Sequence, residues 1–199
     1  MKILSGLLTF MFSLPVIASD IEWDLENAIV QGSGCQAIKT RLAIRNGNLI
    51  FAPQDLSIRF KKVADQRKIA RQSCSLSIPI TLKEGTYISR LASSIKYRYV
   101  RQNSTSGNIV LKSGIFEAPE LEIRSGIPTQ GNSRFRGVVS LSEEADFLPP
   151  KDCGSSEVQF FRVTYVISAS RENTGKTLQI KADPAHIKVG TSLCEQESL

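Results

Sequence analysis

Residues 41–51 read Arg41-Leu42-Ala43-Ile44-Arg45-Asn46-Gly47-Asn48-Leu49-Ile50-Phe51. Two apolar-rich stretches meet at Asn46-Gly47. That dipeptide accepts positive φ at both central positions of a tight turn, as a two-residue hairpin demands. Folding there sets Ile44 against Leu49 and Leu42 against Phe51 on one face, with Ala43 against Ile50 on the other. Turn chemistry and a period of two agree, so the stretch predicts an antiparallel hairpin.

The same period recurs along the chain. Leu56, Ile58 and Phe60 oppose Ser57, Arg59 and Lys61; Leu76, Ile78 and Ile80 oppose Ser75 and Ser77. Pro79 marks that stretch as an edge or a strand end, because it cannot donate to a ladder. Ile95, Tyr97 and Tyr99 oppose Lys96 and Arg98. Val158, Phe160, Val163, Tyr165 and Ile167 form a longer run, with a bulge expected where Phe160-Phe161 interrupts the alternation. Leu178-Gln179-Ile180 and Ile187-Lys188-Val189 read as closing strands. Turns are expected at 103–108, 125–126, 130–133, 149–150 and 173–175, where Asn, Ser, Gly and Pro cluster. Helical periodicity is confined to a turn or two at Val63–Ala70, and Ser19–Glu26 reads as an arm or first strand anchored by Trp23. Short strands with polar turns predict an all-β, antiparallel β-sandwich, with a small β-barrel as the alternative.

The N-terminus carries a different signal. Lys2 precedes an apolar run from Ile3 to Phe12, Pro15 breaks it, and Val16-Ile17-Ala18 places small residues for cleavage. This pattern predicts a signal peptide over 1–18 and a single exported domain over 19–199, secreted or periplasmic. The run is too short to span a bilayer, which takes about 20 apolar residues. Loss of Lys2 leaves 24 basic against 19 acidic side chains, a net charge of +5 that favours anionic partners.

The four cysteines, Cys35, Cys74, Cys153 and Cys194, all follow the cleavage site. An even count in an exported chain predicts two disulfides. Of the three possible pairings, Cys35 with Cys74 and Cys153 with Cys194 closes the shortest loops and is preferred. Cys35 ends the stretch Gln31-Gly32-Ser33-Gly34-Cys35. Lipidation there would need an apolar residue in place of Gly32. A phosphate-cradling loop would need a following helix, whereas Thr40–Arg45 reads as a strand. The glycines instead permit a tight bend that presents Cys35 to a bridge.

Candidate chemistry is sparse. His186 is the only histidine, which excludes multi-histidine metal sites, and no nucleophile motif accompanies it, so it reads as a surface or a satisfied side chain. Glu143, Glu144 and Asp146 crowd what reads as a loop, and Glu120 and Glu122 share a strand face. Such carboxylates serve glycoside hydrolysis only at suitable separation, and the loop lacks an EF-hand spacing. No metal centre and no cofactor is expected. Basic residues are denser: Arg59, Lys61, Lys62, Arg67, Lys68 and Arg71 fall close together, and Arg90, Lys96, Arg98 and Arg101 follow. If the two segments adjoin, Arg67, Lys68, Arg71, Arg98 and Arg101 form a candidate anion-binding face. Tyr97 and Tyr99 alternate with Lys96 and Arg98, so rings and charges point opposite ways.

Four landmarks carry a resemblance: Gly32-Ser33-Gly34-Cys35, then Arg71-Gln72-Ser73-Cys74 leading into a strand, then Tyr97-Arg98-Tyr99, then Cys153-Gly154. In order and rough spacing the chain resembles the secreted domain-of-unknown-function family 4360, although the family's glycine after Tyr-Arg is absent here. The resemblance implies secretion and a β-sandwich, and implies no activity. The combined reading is a non-catalytic binding module whose basic face takes an anionic polysaccharide or an envelope surface, with nucleic acid not an expected partner. The alternative is a carbohydrate-active enzyme using Glu120, Glu122, Glu143 or Glu144.

Overall fold

The computed structural model describes residues 20–60, 67–116, 118–128, 134–149, 153, 157–172 and 176–194. The expected signal peptide, Lys61 and Lys62, and the turns expected at 130–133 and 173–175 lie outside them. The described strands are β1 (Ile21–Trp23), β2 (Ile29–Gln31), β3 (Thr40–Arg45), β4 (Asn48–Pro53), β5 (Ser57–Phe60), β6 (Ile69–Leu82) and β7 (Thr86–Arg101). They continue as β8 (Thr105–Ile115), β9 (Glu120–Gly126), β10 (Phe135–Asp146), β11 (Gln159–Arg171), β12 (Leu178–Ala182) and β13 (Ala185–Leu193). A single 3₁₀ turn, Ala37–Lys39, is the one described helical element.

The hairpin forms as its residues dictate. Asn46 and Gly47 take φ of 50° and 73°, and Leu42 faces Phe51, Ala43 faces Ile50 and Ile44 faces Leu49. Every described pairing is antiparallel, in two sheets. The first runs β1-β6-β11-β8-β9, with β2 beside β1 on the free edge of β6. The second is centred on β7. One edge of β7 takes β10 along residues 90–101, and the other is shared end to end by β13 and β12. Outside these lie β4 against β13 and β5 against β12, with β3 beyond β4. Neither sheet closes on itself, so the molecule is a sandwich and not a barrel.

Alternation supplies the core from both inner faces. Phe51, Phe60, Tyr97, Phe161 and Tyr165 are fully buried, among Leu49, Leu76, Ile78, Ile95, Leu111 and Ile187. Trp23 does anchor the first strand, its ring edge-on to Phe161 at a centroid distance of 5.2 Å. Both shortest-loop disulfides are present, Cys35–Cys74 and Cys153–Cys194.

Several local expectations are corrected. There is no bulge at Phe160-Phe161: β11 keeps register with β6 and β8 throughout, and Phe161 points in while Phe160 lies on the outer face. The ladder on both sides, not the nearest apolar neighbour, sets that phase. The register shift lies instead at Gly190/Thr191 in β13. The turn expected at 103–108 is shorter, because β8 begins at Thr105 and Ser104 takes φ 59°. Ser125 and Gly126 end strand β9 rather than forming a separate turn. Of the helical candidate Val63–Ala70, Ile69 and Ala70 belong to β6, and 63–66 lie outside the described residues. Glu143, Glu144 and Asp146 stand on β10, not on a loop. Pro79 sits inside β6, opposite the gap between β1 and β2. Its carbonyl accepts from the Asp24 N–H at 3.0 Å, so its missing donor falls where the outer ladder is already interrupted.

One interruption shapes the second sheet. Between β12 and β13 the chain leaves the ladder at Asp183-Pro184, and beside it Gln54-Asp55-Leu56 separates β4 from β5. The two breaks are tied together by Ala182 N–H donating to Leu56 O at 3.2 Å, while Asp183 N–H donates to Lys96 O at 2.8 Å.

Candidate functional site

The five arginines and lysines singled out in the sequence do not share one surface. Arg71 stands on the outer face of the first sheet and Arg98 on the outer face of the second. Lys68 and Arg101 line one cavity of about 740 Å³ at an end of the sandwich, together with Arg171. Arg67 joins them through its carbonyl, which accepts from Arg171 Nε at 2.8 Å. Arg101 is buried and its Nη1 donates to Pro128 O at 2.7 Å, so it holds loops together instead of standing on an exposed face.

A different basic face is present. Directly paired residues of an antiparallel ladder share a face, so the registers trace rows across the outer side of the second sheet. One row reads Arg45, Asn48, Lys188, Ala92, Glu144. The next reads Ala43, Ile50, His186, Ser94, Ser142. Arg41 and Ala52 follow on one side of the strand break, and Lys96 and Ser140 on the other. Beyond the break come Ser57, Lys181, Arg98, Val138, and then Arg59, Gln179, Val100, Arg136. These rows carry eight Lys or Arg side chains. The acids beside them include Glu144 and Asp146, both paired with Arg90, and Asp183, whose Oδ1 accepts from Arg98 at 2.6 Å. Arg41, Arg45, Arg136, Lys181 and Lys188 were not singled out from sequence. The usable signal was their strand phase, because each occupies an outward position in its own alternation.

The outer side of the first sheet differs. It presents Ser75, Ser77, Thr164 and Ser168, and on its β8–β9 side Lys112 and Arg124 are compensated by Glu120 and Glu122. Lys112 lies 3.8 Å from Glu120 and 3.1 Å from Glu122, and Arg124 lies 2.7 Å from Glu122. Hydrogen bonds from Arg124 and Lys112 hold the Glu122 carboxyl below its usual range. The general acid of a glycosidase needs the opposite shift, so Glu122 is not set up as such an acid.

Two grooves cross the basic face and meet at the break. One, of about 840 Å³, is lined by Arg41, Arg45, Arg98 and Lys181 over a floor that includes Ala43 and Ile50. The other, of about 570 Å³, is lined by Ser94, Lys96, Ser140, Ser142 and His186. Asp183 and Pro184 line both. These volumes fall within the range of small-ligand sites. Among the described residues no cluster of three His, Cys, Asp or Glu side chains could hold a metal ion, and no helix is long and apolar enough to cross a membrane.

Beneath the break lies Tyr165, fully buried on β11, whose hydroxyl has no hydrogen-bond partner among the described residues. Burial, then the fields of Asp183 and Tyr97, push its phenol far above the usual range. An unpaired buried hydroxyl costs stability that a phenyl ring of the same shape does not. Tyr165→Phe is therefore expected to leave urea stability unchanged or raise it by up to about 2 kcal/mol. A loss above about 1 kcal/mol would show that the hydroxyl has a partner in solution.

No protein-family model matches the chain, and no curated protein matches it. Solved structures match at low similarity. TmCBM61 in complex with β-1,4-galactotriose is 11% identical, with 84% of this chain and 91% of that one covered, at a TM-score of 0.29. The enzymatically active domain of tailspike protein 4 from bacteriophage CBA120 is 11% identical, with 85% and 20% covered, at 0.23. An exo-β-agarase is 12% identical, with 90% and 25% covered, at 0.26. TM-scores this low assign neither ligand nor activity to this chain.

Proposed function

We propose that the protein is an exported binding module that holds an anionic polysaccharide against the outer face of its second sheet. The observation that carries this reading is the set of rows placing eight Lys or Arg side chains on one face, of which Arg41, Arg45, Lys96, Arg98 and Lys181 line two grooves that share Asp183 and Pro184. Guanidinium and ammonium groups pair with carboxylate and sulfate by charge-assisted hydrogen bonds, and a groove between them fits an extended chain. Two disulfides suit an oxidising compartment, where such polymers are met.

The test reverses charges that have no part in the core. Arg41 and Lys181 are exposed and line the larger groove. The double variant Arg41→Glu/Lys181→Glu is expected to bind heparin at least about tenfold more weakly in low salt. The slope of log affinity against log salt should also fall by about two, one for each lost cation. Equal retention of variant and parent on a heparin column would reject the face.

A further inference from the structure

The two grooves are chemically unlike, and the boundary between them is Asp183. On one side Arg41, Arg45 and Lys181 dominate. On the other, hydroxyls of Ser94, Ser140 and Ser142 stand beside His186, with Lys96 as the one Lys or Arg among the described lining residues. A polymer charged on every unit would lay an anion over the Asp183 carboxylate as it crosses.

Resting on the binding reading above, we infer that Asp183 and the serine-lined groove receive an uncharged sugar unit, so that the ligand class is an acidic heteroglycan in which charged and neutral units alternate. Asp183 is fixed for this role from three directions. Its N–H is bonded to Lys96 O, its Oδ1 takes the Arg98 guanidinium, and Pro184 follows it in the chain. Its side chain is 17% exposed, which leaves a held carboxylate at the groove boundary. A carboxylate so held accepts hydrogen bonds from neutral hydroxyl groups and repels a second anion. Across β3, β4, β13, β7 and β10, four strand spacings make a path of about 19 Å, enough to take both kinds of unit at once.

The experiment measures binding of three probes by calorimetry: hyaluronan oligosaccharides, oligogalacturonate matched in total charge, and dextran sulfate. The parent protein is expected to bind hyaluronan at least about tenfold tighter than oligogalacturonate, the scale of one hydrogen bond to a charged acceptor. Asp183→Asn should erase that preference while dextran sulfate binds as tightly as before or more so. Ser140→Val with Ser142→Val, which leaves the Arg98–Asp183 pair intact, should weaken hyaluronan alone. Oligogalacturonate binding as well as hyaluronan, or Asp183→Asn strengthening all three probes alike, would overturn this inference while leaving the basic face standing. Binding of none of the three would overturn both.

Discussion

Gly32→Ala is expected to cost about 4 kcal/mol, at the extreme of single substitutions. Gly32 takes φ 136°, a conformation that L side chains rarely adopt. A Cβ there would press into the Ser73 carbonyl oxygen, and would lie 2.9 Å from its carbon and 3.1 Å from Cys74 Cα. These are backbone atoms of β6, which is laddered to β11 along its length, so they have no room to withdraw. The same bend places Gly34 N–H 2.8 Å from Ser73 O and delivers Cys35 to Cys74. Strain and overlap therefore fall together on the corner that the disulfide closes. Urea unfolding of the oxidised variant measures the loss, and a loss below about 1 kcal/mol would mean that the bend relaxes around a methyl group.

Cys35→Ser with Cys74→Ser is expected to cost a similar amount by another route. The bridge closes a separation of 39 residues, and the chain-entropy model gives about 4 kcal/mol for a loop of this size. Cys74 is fully buried in the core, so a serine there also leaves a polar group to be satisfied. Cys153–Cys194 closes a nearly equal separation of 41 residues, at the end where Cys194 N–H bonds to Gly85 O. Loop entropy alone predicts equal losses for the two bridges. Burial predicts that losing Cys35–Cys74 costs more, and that is the expected result. Equal urea midpoints for the two double-serine variants, at equal m-value, would assign the effect to the unfolded chain alone.

Strand phase was legible wherever a run kept one partner type on one face. The hairpin at residues 41–51, the inward Leu56-Ile58-Phe60 and Ile95-Tyr97-Tyr99 sets, and the outward Lys96 and Arg98 all stand as their alternation requires. The phase failed at Phe160-Phe161, where two large apolar residues are adjacent and either fits the inner face by itself. Register with Pro79 and Ile78 on β6 decides between them. The candidate site was less legible. Arg67, Lys68 and Arg71 are close in sequence, yet the first two flank the end cavity and the third stands on the first sheet's outer face. Arg41 and Lys181 are far apart in sequence and line the same groove.

The β class, the hairpin turn, the inward and outward sets of most strands, and the cysteines whose shortest-loop pairing the protein adopts are all written in local sequence. Each of these is local: the period of two is a property of the extended backbone, and Asn-Gly carries its turn geometry in its own φ range. Which strands lie side by side is set by the assembled fold. β3, β7, β10, β12 and β13 come from across the chain, and their order follows from long-range ladders and the burial of two inner faces against each other. A charge on an outward position has no neighbour until that order exists. For this reason the basic face, the strand break beside it and the placement of Asp183 between two unlike grooves belong to the fold and not to any stretch of sequence.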